Sequence, residues 1–281
     1  MRDFSRDRSA LTLNTATLGH NLDGAGAGWS PERVIDACAE RGLGGIVFWR
    51  REIGTRAVEL GERVRAAGMQ VVGLCRTPYL VGTDAPSCDD DIHAAIEMAA
   101  ALGAPVLTIV TGGTDPGTKG AAETQKRLAD RLARIAGHAA ACGVQLALEP
   151  LNPMFGGNRT CIFTVADALR VCDLSGAPNV GIAVDVYHVW WDTTLAASLA
   201  AAKGRVLGYH LCDWLENTAD MLLDRGMMGD GVADLRAIRA AVEATGYAGA
   251  CEVEIFSAEN WWRRCPGDVL DVMIERFHRY C

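Results

Sequence analysis

No C-x-x-C pair occurs among the ten cysteines of this 281-residue sequence, so it carries neither a zinc-ribbon spacing nor a dithiol redox motif. A chain of this length can build its core without covalent staples. The cysteines are therefore expected to be reduced and mostly buried, as in a cytoplasmic protein. No apolar run approaches the ~18 residues a membrane span needs. The opening MRDFSRDRSA also lacks the apolar centre of a signal peptide, and no membrane partner is expected. An excess of basic charge is missing too: 27 Lys and Arg stand against 35 Asp and Glu, for a net charge of −8. That balance argues against a nucleic-acid polyanion as the main partner. A G-x-G-x-x-G fingerprint is absent as well. Gly24-Ala25-Gly26-Ala27-Gly28 comes near it, but sits past the first apolar run and lacks the spacing. It reads as a loop ahead of Ser30 rather than a phosphate cradle. Present instead are 49% hydrophobic and 22% charged residues, the composition of a globular chain with a large core.

Eight short apolar runs recur along the chain: 11–18, 44–49, 70–75, 105–110, 145–151, 180–188, 205–213 and 250–256. They alternate little between apolar and polar, as parallel strands covered on both faces do. Seven segments of helical periodicity lie between them. Each is followed by a glycine, at 42, 68, 103, 143, 176, 204 and 246, the residue that ends a helix without a Cβ clash. Ser30-Pro31 reads as an N-cap with proline at the first helical position, and an eighth helix runs towards the C-terminus. Strand, helix and glycine, with about 35 residues per unit, predict a single (β/α)8 TIM barrel over residues 1–281.

In such a barrel, chemistry gathers where the strands end. Four consecutive runs each carry one metal-competent side chain near that end: Glu149, Asp185, His210 and Glu254. Taken singly, each reads equally well as a cap, an ion-pair partner or a core histidine. Together, three carboxylates and an imidazole suit a divalent ion with open water positions rather than a closed structural zinc site. Glu252 shares a face with Glu254, and one of the two reads as a supporting or ion-pairing acid.

The motifs E-P-L-N-P, D-V-Y-H, H-L-C-D-W and G-Y-x-G-x-x-x-x-E that hold these residues resemble the sugar phosphate isomerase/epimerase family with a xylose-isomerase-like barrel. That family includes ketose 3-epimerases, hydroxypyruvate isomerase and inosose dehydratase. The resemblance implies that Glu149, Asp185, His210 and Glu254 bind the metal, manganese foremost, with magnesium, cobalt or zinc as alternatives. It also implies that Glu149 and Glu254 are the acid/base pair. His188 and Arg225, the latter within Asp224-Arg225-Gly226, would contact substrate.

The implied chemistry is proton abstraction next to a carbonyl, through a cis-enediolate. A dication can neutralise the developing charge, and two carboxylates can remove and return the proton. Return to the opposite face of the same carbon epimerises; return to the neighbouring carbon isomerises. A leaving group at the β carbon would make the same first step a lyase or dehydratase reaction on a keto-sugar, keto-glycoside or inosose. A more remote alternative is an apurinic-site endonuclease, whose Asp-Arg-His motif is met here by Asp224-Arg225-Gly226.

The expected ligand is a small sugar or keto-sugar and the expected assembly a homo-oligomer, dimer or tetramer. Arg50, Arg76 and Lys119 are read as anion binders or, by default, rim ion pairs. Trp49, Trp190, Trp191, Trp261 and Trp262 are read as either a wall for the sugar or a subunit contact.

Overall fold

The computed structural model describes residues 2–281. Eight strands are parallel and close into a barrel in chain order: β1 (Leu11–Asn14), β2 (Gly45–Trp49), β3 (Gln70–Cys75), β4 (Val106–Ile109), β5 (Gln145–Leu148), β6 (Val180–Asp185), β7 (Val206–Leu211) and β8 (Cys251–Val253). β8 pairs back onto β1, with Leu11 opposite Cys251 and Leu13 opposite Val253. All residues of β1 and β6 are buried, which explains why the runs read as continuously apolar.

Ten α-helices occur among the described residues. They are α1 (Pro31–Glu40), α2 (Arg50–Ile53), α3 (Ala57–Ala66), α4 (Asp90–Leu102), α5 (Ala122–Ala141), α6 (Val165–Ser175), α7 (Val186–Val189), α8 (Leu195–Ala201), α9 (Leu235–Ala244) and α10 (Pro266–Tyr280). The eight longer ones follow the eight strands. In α5, Leu128, Leu132, Ile135 and Ala139 are fully or almost fully buried, so a stripe of i, i+4, i+7 and i+11 faces the strands. Truncating one of them, such as Leu132, to alanine would cost about 2–5 kcal/mol. Ser30 caps α1 as expected, its hydroxyl accepting from the Arg33 amide at 3.4 Å. All seven helix-ending glycines take positive φ, between 64° and 94°.

The short helices α2 and α7 were not anticipated. Each begins where a nearby carboxylate, from within the helix in α2 and from the strand end in α7, takes over a backbone donor. Glu52 accepts from the Trp49 amide at 2.8 Å, and Asp185 accepts from the Tyr187 amide at 2.8 Å. The first run likewise stops being a strand at Asn14, whose side chain accepts from the Ala16 amide at 3.0 Å and starts a 3-10 turn over Thr15–Leu18. The 24–28 segment is a loop, as expected. A Cβ on Gly26 would lie 1.9 Å from the Leu18 carbonyl oxygen, so that glycine permits a close backbone crossing. Among the described residues no helix is long and apolar enough to cross a membrane.

Candidate metal centre and active site

Closure of the barrel carries the ends of β5 to β8 to one rim. Asp185 lies in register with His210, and His210 with Glu252. Glu149 and Glu254 each follow the last residue of their strand. One ligand-capable atom from each of Glu149, Asp185, His210 and Glu254 lies within 4.8 Å of the others, and all four side chains are buried. Hard oxygen donors and one imidazole at that spacing fit a divalent ion with only small adjustments, since such ions sit about 2.0–2.2 Å from their ligands.

The contacts inside the cluster show how its charge is held. His210 Nδ1 lies 2.8 Å from Glu149 Oε1, while its Nε2 lies 3.4 Å from Glu252 Oε2. Arg225 Nη1 donates to Asp185 Oδ2 at 2.9 Å and to Glu254 Oε2 at 3.2 Å. A cation is thus already seated on two of these acids, and the guanidinium is stacked between the rings of Tyr187 and Phe256, 4.5 and 4.2 Å from their centroids. Asn14 reaches across the β1–β8 seam. Its Nδ2 donates to Glu252 Oε1 at 2.6 Å and Glu254 Oε1 at 3.0 Å, and its Oδ1 accepts from Trp49 Nε1 at 2.9 Å.

Burial, reinforced by the charge of Glu149 against the pull of Arg225, pushes Glu254 above the ordinary carboxylate range. Burial raises Glu252 as well. Burial alone would depress His210, but the surrounding Glu252, Glu149 and Glu254 outweigh it and hold the imidazole well above its usual value. Asp185 also feels burial first, yet Arg225 and the histidines keep it low. Four buried acids against one guanidinium and one imidazole leave the cluster short of positive charge, the condition under which a buried site favours a cation.

Above the cluster opens a cleft of about 410 Å³, mouth included, lined among others by Trp49, Arg76, Glu149, Phe155, Arg159, His188, Arg225, Glu254 and Phe256. Its mixed apolar and polar walls suit a small organic ligand. His188 is pushed down to about 4, chiefly by burial, and its Nδ1 accepts from the Asn152 amide at 3.3 Å. Arg225 stands on a long loop that Asp213 organises. The two carboxylate oxygens of Asp213 accept from the amides of Trp214, Gly229, Gly231 and Ala233 at 2.9–3.1 Å. The Arg225 amide meanwhile donates to the Phe256 carbonyl at 2.8 Å.

The structure thus brings seven of the eight expected site residues to one place, with Glu149, Asp185, His210 and Glu254 in the cluster and His188 and Arg225 beside it. Trp49 joins them as a wall of the cleft. Lys119 does not: it is exposed on the loop after β4 and is not among the lining residues. That loop is glycine-rich and turns outward, so its charge remains solvated. The other tryptophans form no sugar wall. Trp261 and Trp262 are buried in the protein's own core, with Trp262 Nε1 donating to the Ala16 and Ile255 carbonyls, and Trp190 packs on Trp214. Nor is the default rim ion pair found for Arg50 or Arg76, since among the described residues no carboxylate lies within 4.0 Å of either. Asn14, Asp213 and Arg159 were missed. Asn14 and Asp213 were visible as lone polar residues in or beside apolar runs, whereas Arg159 sits in an irregular loop that offers no periodic signal.

Comparison with known proteins agrees with this architecture. A family model described as xylose isomerase-like TIM barrel matches residues 35–267. Protein SMc04130 from Sinorhizobium meliloti 1021 has 41% identity, with 98% of this chain and 99% of that chain covered and a TM-score of 0.89. The IolI protein, solved with a bound zinc atom, has 19% identity over 97% of this chain and 99% of its own, with a TM-score of 0.81. D-allulose 3-epimerase from Methylomonas sp., in complex with D-allulose, has 21% identity over 97% and 96%, with a TM-score of 0.73. No protein of curated function matches the chain. With more than half its length under the family model and a close full-length relative of the same fold, the chain belongs to the xylose isomerase-like TIM-barrel family.

Proposed function

We propose that the protein is a divalent-metal-dependent sugar isomerase or epimerase that removes and returns a proton next to a carbonyl. The observation that carries this reading is the convergence of Glu149, Asp185, His210 and Glu254 within 4.8 Å at the floor of the cleft. A neighbour of the same fold with a zinc atom and another with D-allulose support the metal and the sugar.

Glu149, Asp185, His210 and Glu254 would hold the ion, manganese foremost, which when bound supplies Lewis-acid stabilisation of the charge that develops on the substrate oxygens. Glu149 and Glu254 come from β5 and β8 and line the same cleft, so they can serve as base and acid on the two sides of a substrate held between them. Arg225 is fixed by two carboxylates and two rings, yet its Nε is buried without a hydrogen-bond partner. That donor is available to a substrate oxygen. His188, neutral because it is buried, can hydrogen-bond a hydroxyl without adding charge. Trp49 and Phe256 exclude water from the reacting carbons, which strengthens every polar contact inside. Behind the centre, Glu252 faces His210 Nε2 and orients the ring so that Nδ1 points at Glu149.

Incubation with Mn²⁺ and a panel of ketoses and keto-sugars in D2O, followed by NMR, tests the reading. Deuterium is expected at a carbon beside the carbonyl with every substituent retained. Deuterium uptake accompanied by loss of a β substituent would make the protein a lyase, and no uptake from any member of the panel would refute the proton-transfer assignment.

A further inference from the structure

Arginines that this fold buries for its own sake have their donors occupied. Arg131 donates from Nη1 to the Leu80 carbonyl at 2.8 Å, from Nη2 to Pro86 and Cys88 at 2.9 and 2.7 Å, and from Nε to Asp89 at 2.8 Å. Arg239 is shared among Glu243 and the carbonyls of Arg2 and Cys281.

Arg76 and Arg159 break this pattern. Both line the cleft, one directly after β3 and the other in the loop after β5. Among the described residues no carboxylate lies within 4.0 Å of either guanidinium. Arg76 makes one long bond, from Nη1 to the Thr77 carbonyl at 3.3 Å, and covers the Tyr79 ring at 4.4 Å. Arg159 has its backbone pinned, its amide donating to the Phe155 carbonyl and its carbonyl accepting from the Gly112 amide, both at 3.1 Å. Its guanidinium stands only over the Phe155 ring, at 5.6 Å. Arg50 backs the pair: its Nη1 donates to the Arg76 carbonyl at 3.3 Å, and its Nε is buried without a partner. Burial, with the charge of Arg159 adding to it, depresses Arg76 below its ordinary value.

Two guanidiniums kept half-buried beside one another, with Glu149 felt only through space and no carboxylate in ion-pair contact, are costly unless something brings a closer negative charge. The planar fork of arginine is matched to the two oxygens of a carboxylate or phosphate. Resting on the proposed function above, we infer that the substrate carries a terminal oxyanion, a carboxylate or a phosphate, held by Arg76 and Arg159 on the β3–β5 side of the cleft. The carbonyl end then lies against Glu149 and Glu254. The substrate class is an anionic keto-sugar or keto-acid rather than a neutral ketose. Lys119, exposed outside the cleft, takes no part.

Two matched pairs test this in D2O with the Mn²⁺-loaded full-length protein: D-fructose against D-fructose 6-phosphate, and dihydroxyacetone against hydroxypyruvate. The charged member of at least one pair is expected to take up deuterium at least about tenfold faster at equal subsaturating concentration. Preference in the first pair assigns phosphate and in the second carboxylate. Arg76→Met and Arg159→Met should each cut the charged-to-neutral ratio about tenfold. Arg76→Lys and Arg159→Lys, which keep the charge and lose the fork, should fall between and serve where a Met variant does not fold. Equal rates for charged and neutral members would overturn the inference while leaving the proton-transfer reading intact. If nothing exchanges, that reading has failed, and calorimetric titration with inorganic phosphate and malonate decides the anion site alone. Binding weakened about tenfold or more in the arginine variants supports it. No binding, or binding unchanged in the variants, refutes it.

Discussion

Along the β5–β8 arc of the barrel mouth, four acids crowd around one imidazole and one guanidinium, whereas the loops after β3 and β5 bring in two guanidiniums that make no ion pair among the described residues. The two sides differ in how their charge is answered. On the acidic side the residues answer one another in part, through Arg225, Asn14 and the His210 ring, and a remainder of negative charge is left for an ion. On the arginine side almost nothing within the chain answers, and a remainder of positive charge is left. A buried rim that is unbalanced in opposite senses at its two ends describes the polarity of what it binds.

The sharpest way to break this contrast is at the acids. Glu149→Gln and Glu254→Gln should each lower the rate of deuterium incorporation by about 1,000-fold, with circular dichroism showing that the barrel is retained. Full activity in both would remove the acid/base pair. Next comes the mounting of the arginine side. Arg131→Ala strips four hydrogen bonds from the loop that follows Arg76 and should cost about 3 kcal/mol in denaturant unfolding, a loss that alanine at exposed Arg134 should not reproduce. The acidic side is then graded by metal affinity. Calorimetry with Mn²⁺ should show Glu252→Gln weakening binding by about 10- to 100-fold, and His210→Ala weakening it further, since the latter removes a donor rather than its support. The smallest effect concerns pH. Asp89 feels burial, but its bonds to Arg131 and Arg134 hold its carboxyl below the ordinary value of 3.8. Its contribution to stability is therefore fully present above that value and disappears as pH falls through the lowered one. Unfolding midpoints of Asp89→Asn should lie below wild type at neutral pH and converge with it in acid.

The acidic side was largely legible in the sequence, and the reason is geometric. Successive strand ends of a closed parallel barrel share one rim, so Glu149, Asp185, His210 and Glu254 could be placed together from their positions in apolar runs alone. Glycines 42 to 246 marked the helix ends because only their backbone turns there at low cost. The arginine side was only half legible. Arg76 directly follows a strand and could be found, but its lack of an ion partner depends on which loops fold over it. Arg159 lies in a loop shaped by local turns, where no period exists to read. Trp261 and Trp262 were misjudged because an indole pair after a strand has the same signature whether it faces a ligand, a partner or its own core. Lys119 falls outside the cleft lining, because a loop's position after a strand does not say whether it bends inward.

Asn14 carries a temporal consequence. Its amide ties acids 238 and 240 residues away, so the centre cannot be completed until the first and last strands zip together. Contacts so distant along the chain are slow to form. During refolding, helices will be visible well before the protein can capture an ion, and the onset of manganese uptake will time the closing of the ring.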